Sequence, residues 1–243
     1  MNDQSRPLLH AMKNPPWRST TLGRGTISDA AQTPWLEGSG LACRRGHEWL
    51  FENLSFEVRP AQLMWLRGRN GCGKTTLLRM IAGLTRPDRG RLTLGGKAVT
   101  DRGENRCERV YIGHTNALKD DLTASESLQF LARLHGRDFT PEAVMAALTR
   151  LGMHHRRHAP VRTLSQGQRR RVALARLALE RMPALWILDE PFDALDTAGI
   201  ESVNALLGEH LGRGGSAVVT SHLPLAPNAP AARVLELDRG LAS

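Results

Sequence analysis

Residues 63–75 have the sequence Leu-Met-Trp-Leu-Arg-Gly-Arg-Asn-Gly-Cys-Gly-Lys-Thr. The apolar run Leu63–Leu66 precedes the pattern G-x-x-x-x-G-K-[ST] over Gly68–Thr75, and a helical pattern, Thr75–Ala82, follows it. In this context the glycines let backbone N–H groups close around phosphates, and the helix start adds partial positive charge. The stretch therefore predicts a nucleotide-binding loop, which a chance glycine-rich turn would imitate in only about one chain in a hundred of this length.

The loop and the start of its helix supply the predicted nucleotide-binding residues. Lys74 is expected to reach the β and γ phosphates, and the Thr75 hydroxyl is expected to ligate Mg²⁺. The full predicted set is Gly68, Arg69, Asn70, Gly71, Cys72, Gly73, Lys74, Thr75 and Thr76.

Two acidic residues, Asp189 and Glu190, end the apolar run Leu185–Leu188, 115 residues after Lys74. A nucleotide-hydrolysing enzyme of this type needs a carboxylate at a strand end to hold the Mg²⁺ hydration shell, and Asp189 fits that role. Glu190 would then face the γ phosphate and orient or deprotonate the attacking water. An acidic strand-to-loop junction is common by itself, so the phosphate loop is what favours the catalytic interpretation.

A third motif, Leu164-Ser165-Gln166-Gly167-Gln168, opens an amphipathic helix, and its Ser165 lies 24 residues before Asp189. Ser165 is a natural N-cap, and a helix start is an anion site. From these residues alone, a capped helix without a ligand is the simpler interpretation.

The organisation along the chain indicates an α/β domain. Residues 1–37 are rich in small and polar residues without sustained periodicity and are expected to form a loose extension; residues 38–243 form the predicted domain. From Leu41 onward strand-like runs alternate with helical patterns, and strands resume at 184–188 and 217–220, which predicts a largely parallel sheet.

A helical insert is expected at about 123–160. Thr123 and Glu126 have capping-box spacing and open a helix with Leu128, Leu131 and Leu134 on one face. A second helix is predicted from Thr140 as N-cap through Val144, Leu148 and Leu151 to Gly152.

The charge is concentrated in one segment. The 243 residues contain 33 Lys+Arg and 24 Asp+Glu, a net charge of +9, which suggests an anionic partner such as nucleic acid or membrane. Nine arginines and one acid, Glu180, lie between Arg150 and Arg181, so this segment supplies +8. The nine are Arg150, Arg156, Arg157, Arg162, Arg169, Arg170, Arg171, Arg176 and Arg181.

Other features narrow the class of protein. No apolar run approaches the length of a membrane span, so the chain is not expected to be a channel or permease by itself. Cys43, Cys72 and Cys107 have neither disulfide nor zinc spacing, and the N-terminus lacks a signal segment, which favours a cytosolic location. The cluster His154–His158 is interpreted as a basic loop after a helix end and not as a metal or heme site.

Together these motifs resemble the ATP-binding-cassette ATPase family. Leu164–Gln168 corresponds to its Leu-Ser-Gly-Gly-Gln signature, with Gln166 at the first Gly position; Asp193–Asp196 resembles its D-loop, and Thr220–His222 its switch histidine. The resemblance covers about 41–238. It implies a P-loop NTPase of α/β class, with a RecA-like core, a helical insert subdomain and an antiparallel β subdomain.

The resemblance also implies site roles and a partner. Two cassettes would face each other head to tail, and the signature residues Ser165, Gln166, Gly167 and Gln168 would contact ATP held by the partner. His222 would join Glu190 as a catalytic residue that senses the γ phosphate, and Asp196 would couple the two sites. ATP and Mg²⁺ are the implied cofactors.

Three positions depart from the family pattern. Arg45 stands near the place of the aromatic residue that stacks on adenine, and Trp49 is a candidate substitute or a core residue. His114-Thr115 stands in place of the Q-loop glutamine. Gln166 adds a side chain to the signature.

The sequence further resembles the cytochrome c biogenesis ATP-binding proteins, the A subunit of the so-called heme exporter. This resemblance lies in the stretches Tyr111–Leu128, Gln166–Arg176 and Leu185–Phe192. This implies ATP hydrolysis at the cytoplasmic face of the bacterial inner membrane, in a complex of two cassettes and two membrane subunits, without nucleic acid. An exporter of another substrate is the alternative. A soluble nucleic-acid- or ribosome-acting ATPase is the remote one, supported only by the charge. We therefore expect the arginine-rich segment to form a nucleotide-clamping and membrane-docking face.

Overall fold

The computed structural model describes residues 35–100, 109–222, 224–225 and 228–237. Its strands are β1 Leu36–Arg45, β2 Glu48–Val58, β3 Leu63–Arg67, β4 Arg89–Leu94, β5 Lys97–Ala98, β6 Arg109–Ile112, β7 Leu185–Leu188, β8 Ser216–Thr220 and β9 Ala232–Glu236. Its α-helices are α1 Lys74–Ile81, α2 Ala124–Leu134, α3 Pro141–Arg150, α4 Gln166–Ala175 and α5 Thr197–Gly212. Most of the predicted extension, and Cys107, lie outside the described residues.

The centre of the domain is a parallel five-stranded sheet in the order β6-β7-β8-β3-β9. All four residues of β7 and all five of β8 are buried, as expected for strands covered on both faces. Alternate side chains enter two apolar clusters: Trp186 and Leu188 join one, and Leu185 and Ile187 join the other. The predicted parallel α/β core is confirmed.

A second sheet is antiparallel, in the order β2-β1-β4-β5. The β1–β2 hairpin closes beyond the Arg45–Glu48 pair, where Gly46 takes a φ of 65°. Buried Leu36 and Phe51 of this sheet pack in one cluster with Leu77 and Leu78 of α1. The antiparallel β subdomain that the resemblance implies is present, and it covers the face of the core that carries the phosphate loop.

The helical insert lies between β6 and β7. Thr123 caps α2 with a complete capping box, Thr140 caps α3, and Val144 and Leu148 are buried, as predicted. Leu134, which the pattern places on the same helix face as Leu128 and Leu131, is 67 % exposed, whereas those two are buried. Leu134 is the last residue of α2 and Gly136 turns the chain away at a φ of 71°, so its side chain lies past the last packed turn.

Within the described ranges, no helix combines the length and apolar character that a membrane span requires.

Candidate functional site

The phosphate loop connects β3 to α1 and is curled around its own lysine. Lys74 Nζ donates to the carbonyl oxygens of Gly68 (2.8 Å) and Arg69 (3.3 Å). Gly73, at the N-cap of α1, has a φ of 106° and provides no side-chain cap, so the first N–H groups of the helix are left for a ligand. A Cβ on Gly68 would lie 2.4 Å from the Leu237 carbonyl oxygen, so this position admits only glycine.

Asp189 is held next to Thr75. Its Oδ2 accepts a hydrogen bond from Thr75 Oγ1, and its Oδ1 accepts one from Thr220 Oγ1, each at 2.9 Å. The carboxylate is buried at the end of β7. The two residues predicted to ligate the metal, 114 positions apart in sequence, are therefore brought together.

Glu190 follows Asp189 with a left-handed backbone, φ 48°, and its amide donates to Thr220 Oγ1 at 2.9 Å. Its Oε2 accepts from the His222 backbone amide at 2.9 Å, and His222 Nε2 lies 3.4 Å from Oε1. Burial raises the pKa of the Glu190 carboxyl above its ordinary value, and the His222 amide opposes that shift. Sequence reasoning assigned no role to Thr220, although a polar residue ending an apolar strand was a usable signal.

These residues line one open cavity of about 360 Å³. The predicted site residues in its wall are Asn70, Gly71, Gly73, Lys74, Thr75, Thr76, Asp189, Glu190 and His222. Gly68, Arg69 and Cys72 shape the loop without lining the cavity, and Cys72 is buried behind it. Backbone amides, a lysine and two carboxylates around such a cavity can bind a nucleoside triphosphate with a divalent cation and activate water.

Two of the residues that depart from the family pattern, Arg45 and His114, also lie in this wall. Arg45 and Leu50 line the cavity, whereas Trp49, which alternates with Leu50 along β2, does not. The Trp49 ring is instead flanked by the guanidinium groups of Arg44 (4.9 Å) and Arg89 (5.0 Å). His114, which replaces the Q-loop glutamine, lines the cavity, and its Nδ1 lies 3.8 Å from Asp193 Oδ2.

The signature residues begin α4 and do not line the cavity of their own chain. Ser165 and Gln168 form a complete capping box: Gln168 N donates to Ser165 Oγ at 3.2 Å, and Ser165 N donates to Gln168 Oε1 at 3.0 Å. Ser165 and Gln166 are exposed at the helix start. A Cβ on Gly167 would lie 2.5 Å from the Ala194 carbonyl oxygen, so this glycine lets α4 pack against the D-loop.

Asp196 is the N-cap of α5. Its Oδ1 accepts from the Gly199 amide at 2.8 Å and pairs with the guanidinium of Arg171. The Gly199 hydrogen bond, with help from Arg171, lowers the pKa of the Asp196 carboxyl. The D-loop residue is thus tied to the signature helix of its own chain.

Two of the nine arginines in the segment expected to form a nucleotide-clamping and membrane-docking face do not belong to a surface. Arg170 and Arg176 are buried. Arg170 donates to four neutral oxygens, and burial lowers the pKa of Arg176 to about 10 in spite of nearby Glu180. A charge run in sequence does not distinguish arginines that point to solvent from those that hold internal carbonyl groups.

The fold and this cavity define a P-loop ATPase. The family model described as ABC transporter matches residues 51–193. Among solved structures, one titled as the ATP-binding subunit of an ABC transporter has a TM-score of 0.69 and 26 % identity, covering 78 % of this chain and 80 % of that one. A cassette dimer titled as a post-hydrolysis state bound to ADP and Pi has a TM-score of 0.73 at 22 % identity, covering 84 % and 95 %.

Curated relatives are more similar in sequence. A protein of Dechloromonas aromatica named cytochrome c biogenesis ATP-binding export protein CcmA is 44 % identical over 84 % of this chain and 100 % of its own length. A protein of the same name from Nitrosococcus oceani is 45 % identical over 88 % and 96 %. The chain belongs to the ABC transporter ATP-binding family and, within it, to the family of these CcmA proteins. It is an ATP-hydrolysing transporter ATPase, as its motifs predicted.

Proposed function

We propose that the chain is the ATP-hydrolysing subunit of a bacterial inner-membrane transporter complex for c-type cytochrome biogenesis, and that it energises a separate membrane subunit from the cytoplasmic face. The observation that carries the proposal is identity of 44–45 % to relatives of that name over nearly their whole length. The relatives' names specify export in cytochrome c biogenesis. We propose heme as the exported substrate, and export of another substrate by the same ATPase is the competing function.

In this proposal the loop binds the triphosphate. The N–H groups at the start of α1 and the Lys74 ammonium hold the β and γ phosphates, after Lys74 exchanges its carbonyl partners in the loop for phosphate oxygens. Arg45 and Leu50 form the wall next to these residues.

Mg²⁺ would be held by Thr75 and Asp189. Their side-chain oxygens already lie 2.9 Å apart in the cavity wall, and oxygen donors of this kind are the ligands that Mg²⁺ prefers. The ion supplies neutralisation of charge on the phosphate oxygens. Thr220 fixes the other Asp189 oxygen, so the carboxylate presents Oδ2 toward the loop.

Glu190 accepts the proton from the attacking water, whose oxygen bonds to the γ phosphorus while the bond to the ADP oxygen breaks. Burial raises the pKa of Glu190 toward the working pH, which makes its carboxylate a better base. The His222 amide fixes one Glu190 oxygen, and in this proposal the His222 ring would sense the γ phosphate.

A second copy of the chain completes the site in this proposal. The exposed start of α4, with Ser165, Gln166, Gly167 and Gln168, would contact ATP held by the partner. The support is that these four residues lie outside the cavity of their own chain. Asp196, tied to Arg171 of α4, would transmit closure of one site to the other.

The test is replacement of the chromosomal copy by Lys74→Ala, with Lys97→Ala, an exposed lysine of β5, as matched control. We expect c-type cytochromes, measured by heme staining and absorption spectra, to disappear with Lys74→Ala and to persist with Lys97→Ala. Normal cytochrome levels in cells that express the Lys74→Ala protein would contradict the proposal and favour another exported substrate.

A further inference from the structure

Arg170 is a buried arginine of α4 whose side chain reaches the catalytic segment. Its Nη2 donates to the carbonyl oxygens of Asp189 (2.7 Å) and Glu190 (2.8 Å). Its Nη1 donates to the Gly113 carbonyl oxygen (2.9 Å) and to Asn116 Oδ1 (3.1 Å). All four acceptors are neutral, so the planar guanidinium acts here as a hydrogen-bonding fork between two segments.

The Nη2 bonds bear directly on the conformation of Glu190. The φ and ψ torsions of Glu190 are the two rotations that separate the Asp189 and Glu190 carbonyl groups, and one nitrogen binds both oxygens. The φ torsion is 48°, a value that residues other than glycine adopt only when the surroundings hold it. Arg170 is one of these restraints; others are Thr220, which accepts from the Glu190 amide, and the Asp193 amide, which donates to the Glu190 carbonyl oxygen.

The Nη1 bonds connect the same guanidinium to the loop after β6. Gly113 and Asn116 flank His114, which lines the nucleotide cavity. The next residue, Arg171, donates to the Leu151 carbonyl oxygen at the end of α3 and pairs with Asp196. A shift of α4 or of this loop would therefore move the carbonyl groups that set the direction of Glu190.

We propose that Arg170 is a positioning residue for Glu190: its guanidinium holds the Asp189–Glu190 backbone in the catalytic conformation and couples it to the loop containing Gly113 and Asn116. The inference rests on the proposed role of Glu190 in water activation. Arg170 touches neither nucleotide nor water in this account.

The test compares Arg170→Gln and Arg170→Lys with Arg176→Lys, a matched change in another buried arginine that begins the turn following α4. Lysine keeps the charge, but its compact ammonium lacks the planar fork of two separate nitrogens with which Arg170 binds the two segments. In the full chain we expect kcat for ATP hydrolysis to fall at least about tenfold in both Arg170 variants, with the Kd for a fluorescent ATP analogue within about twofold of wild type. Arg176→Lys should keep the wild-type kcat.

A folded Arg170→Gln protein with a wild-type kcat, or a loss of nucleotide affinity as large as the loss of kcat, would overturn the inference. Because both Arg170 variants can fail to fold, Asn116→Ala provides a milder test at the loop side. It removes one acceptor from Arg170, and we expect kcat to fall about threefold with Kd unchanged; an unchanged kcat would refute the coupling to the loop.

Glu190→Gln separates this inference from the proposed function. If Glu190 is the base, Glu190→Gln alone removes most of kcat, and adding Arg170→Gln lowers kcat little further, because both changes act through one group. If Glu190→Gln retains hydrolysis, the proposed base is wrong. If Glu190→Gln is inactive while the Arg170 variants keep their kcat, only the positioning role is wrong.

Discussion

At the scale of single residues, one hydroxyl joins the carboxylate of Asp189 to the backbone of Glu190. Thr220 donates to Asp189 Oδ1 and accepts from the Glu190 amide, each at 2.9 Å, and it is fully buried at the end of β8. A valine has nearly the same shape but neither the donor nor the acceptor. The Asp189 oxygen and the Glu190 amide would then both lack a partner in the interior.

We therefore predict that Thr220→Val lowers kcat about tenfold and the free energy of unfolding by about 1–3 kcal/mol. Thr149→Val is the control, since the Thr149 hydroxyl bonds only to the Met145 carbonyl and the His154 ring at an exposed position. Steady-state hydrolysis and urea unfolding measure the two effects. An unchanged kcat in a folded Thr220→Val protein would show that the Asp189 and Glu190 positions do not depend on this hydroxyl.

At the scale of elements, α4 is the part of the molecule in which local and distant interactions meet. Its capping box is a property of the neighbouring residues Ser165 and Gln168, and it was predictable from the N-cap preference of serine. The close approach of Gly167 to the Ala194 carbonyl is a tertiary contact that permits no side chain larger than hydrogen. Together they fix the exposed helix start that we propose meets ATP of a partner copy.

A prediction at this scale concerns Ser165→Asp. Aspartate caps a helix as well as serine does, so α4 should remain folded, but its negative charge would repel a γ phosphate. We expect ATP-induced dimerisation in a Glu190→Gln background, measured by analytical ultracentrifugation, to be lost in Ser165→Asp, with ATP binding to the monomer unchanged. Ser202→Asp on α5 is the matched control. ATP-dependent dimers of the Ser165→Asp protein would refute the proposed contact.

At the scale of the whole molecule, the parallel sheet separates two apolar clusters, and one of them contains a histidine stacked on a tryptophan. The rings of His210 and Trp186 lie 3.8 Å apart at an interplanar angle of 8°, and His210 Nε2 donates to the Ala184 carbonyl oxygen at 2.7 Å. Burial lowers the pKa of His210 to about 4 from its ordinary value of 6.5. The core therefore holds this ring neutral.

The consequence is a loss of stability in acid. Below pH 6.5 His210 becomes protonated in the unfolded chain but stays neutral in the folded chain. The free energy of unfolding therefore falls as the pH drops toward 4, by about 3 kcal/mol from this group. We expect His210→Phe to show a smaller fall in urea unfolding between pH 7 and pH 4, and exposed His155→Gln to behave like wild type. Equal falls in all three proteins would contradict the assignment.

Predictions from sequence succeeded where interacting residues are neighbours in the chain. The loop glycines, the cap residues Thr123 and Ser165, and the apolar run 185–188 express backbone preferences and side-chain character over a few positions. The order of motifs indicated the fold class and placed Asp189 and Glu190 at a strand end. Leu134 shows the limit of such patterns, because helical periodicity does not say where the packed surface stops.

By itself, then, the sequence determined the class of protein, the phosphate loop and the identity of the carboxylates. Only the tertiary structure decided which partners hold them: Thr75 meets Asp189 across 114 residues, Thr220 meets it across 31, and Arg170 reaches it across 19. Pairs so far apart in the chain are chosen by packing of the sheet and of α4. Packing also distinguishes Arg169 from Arg170, which the sequence does not. Arg170 contacts the backbone of Glu190 in the interior, whereas Arg169 pairs with Asp120 at the surface.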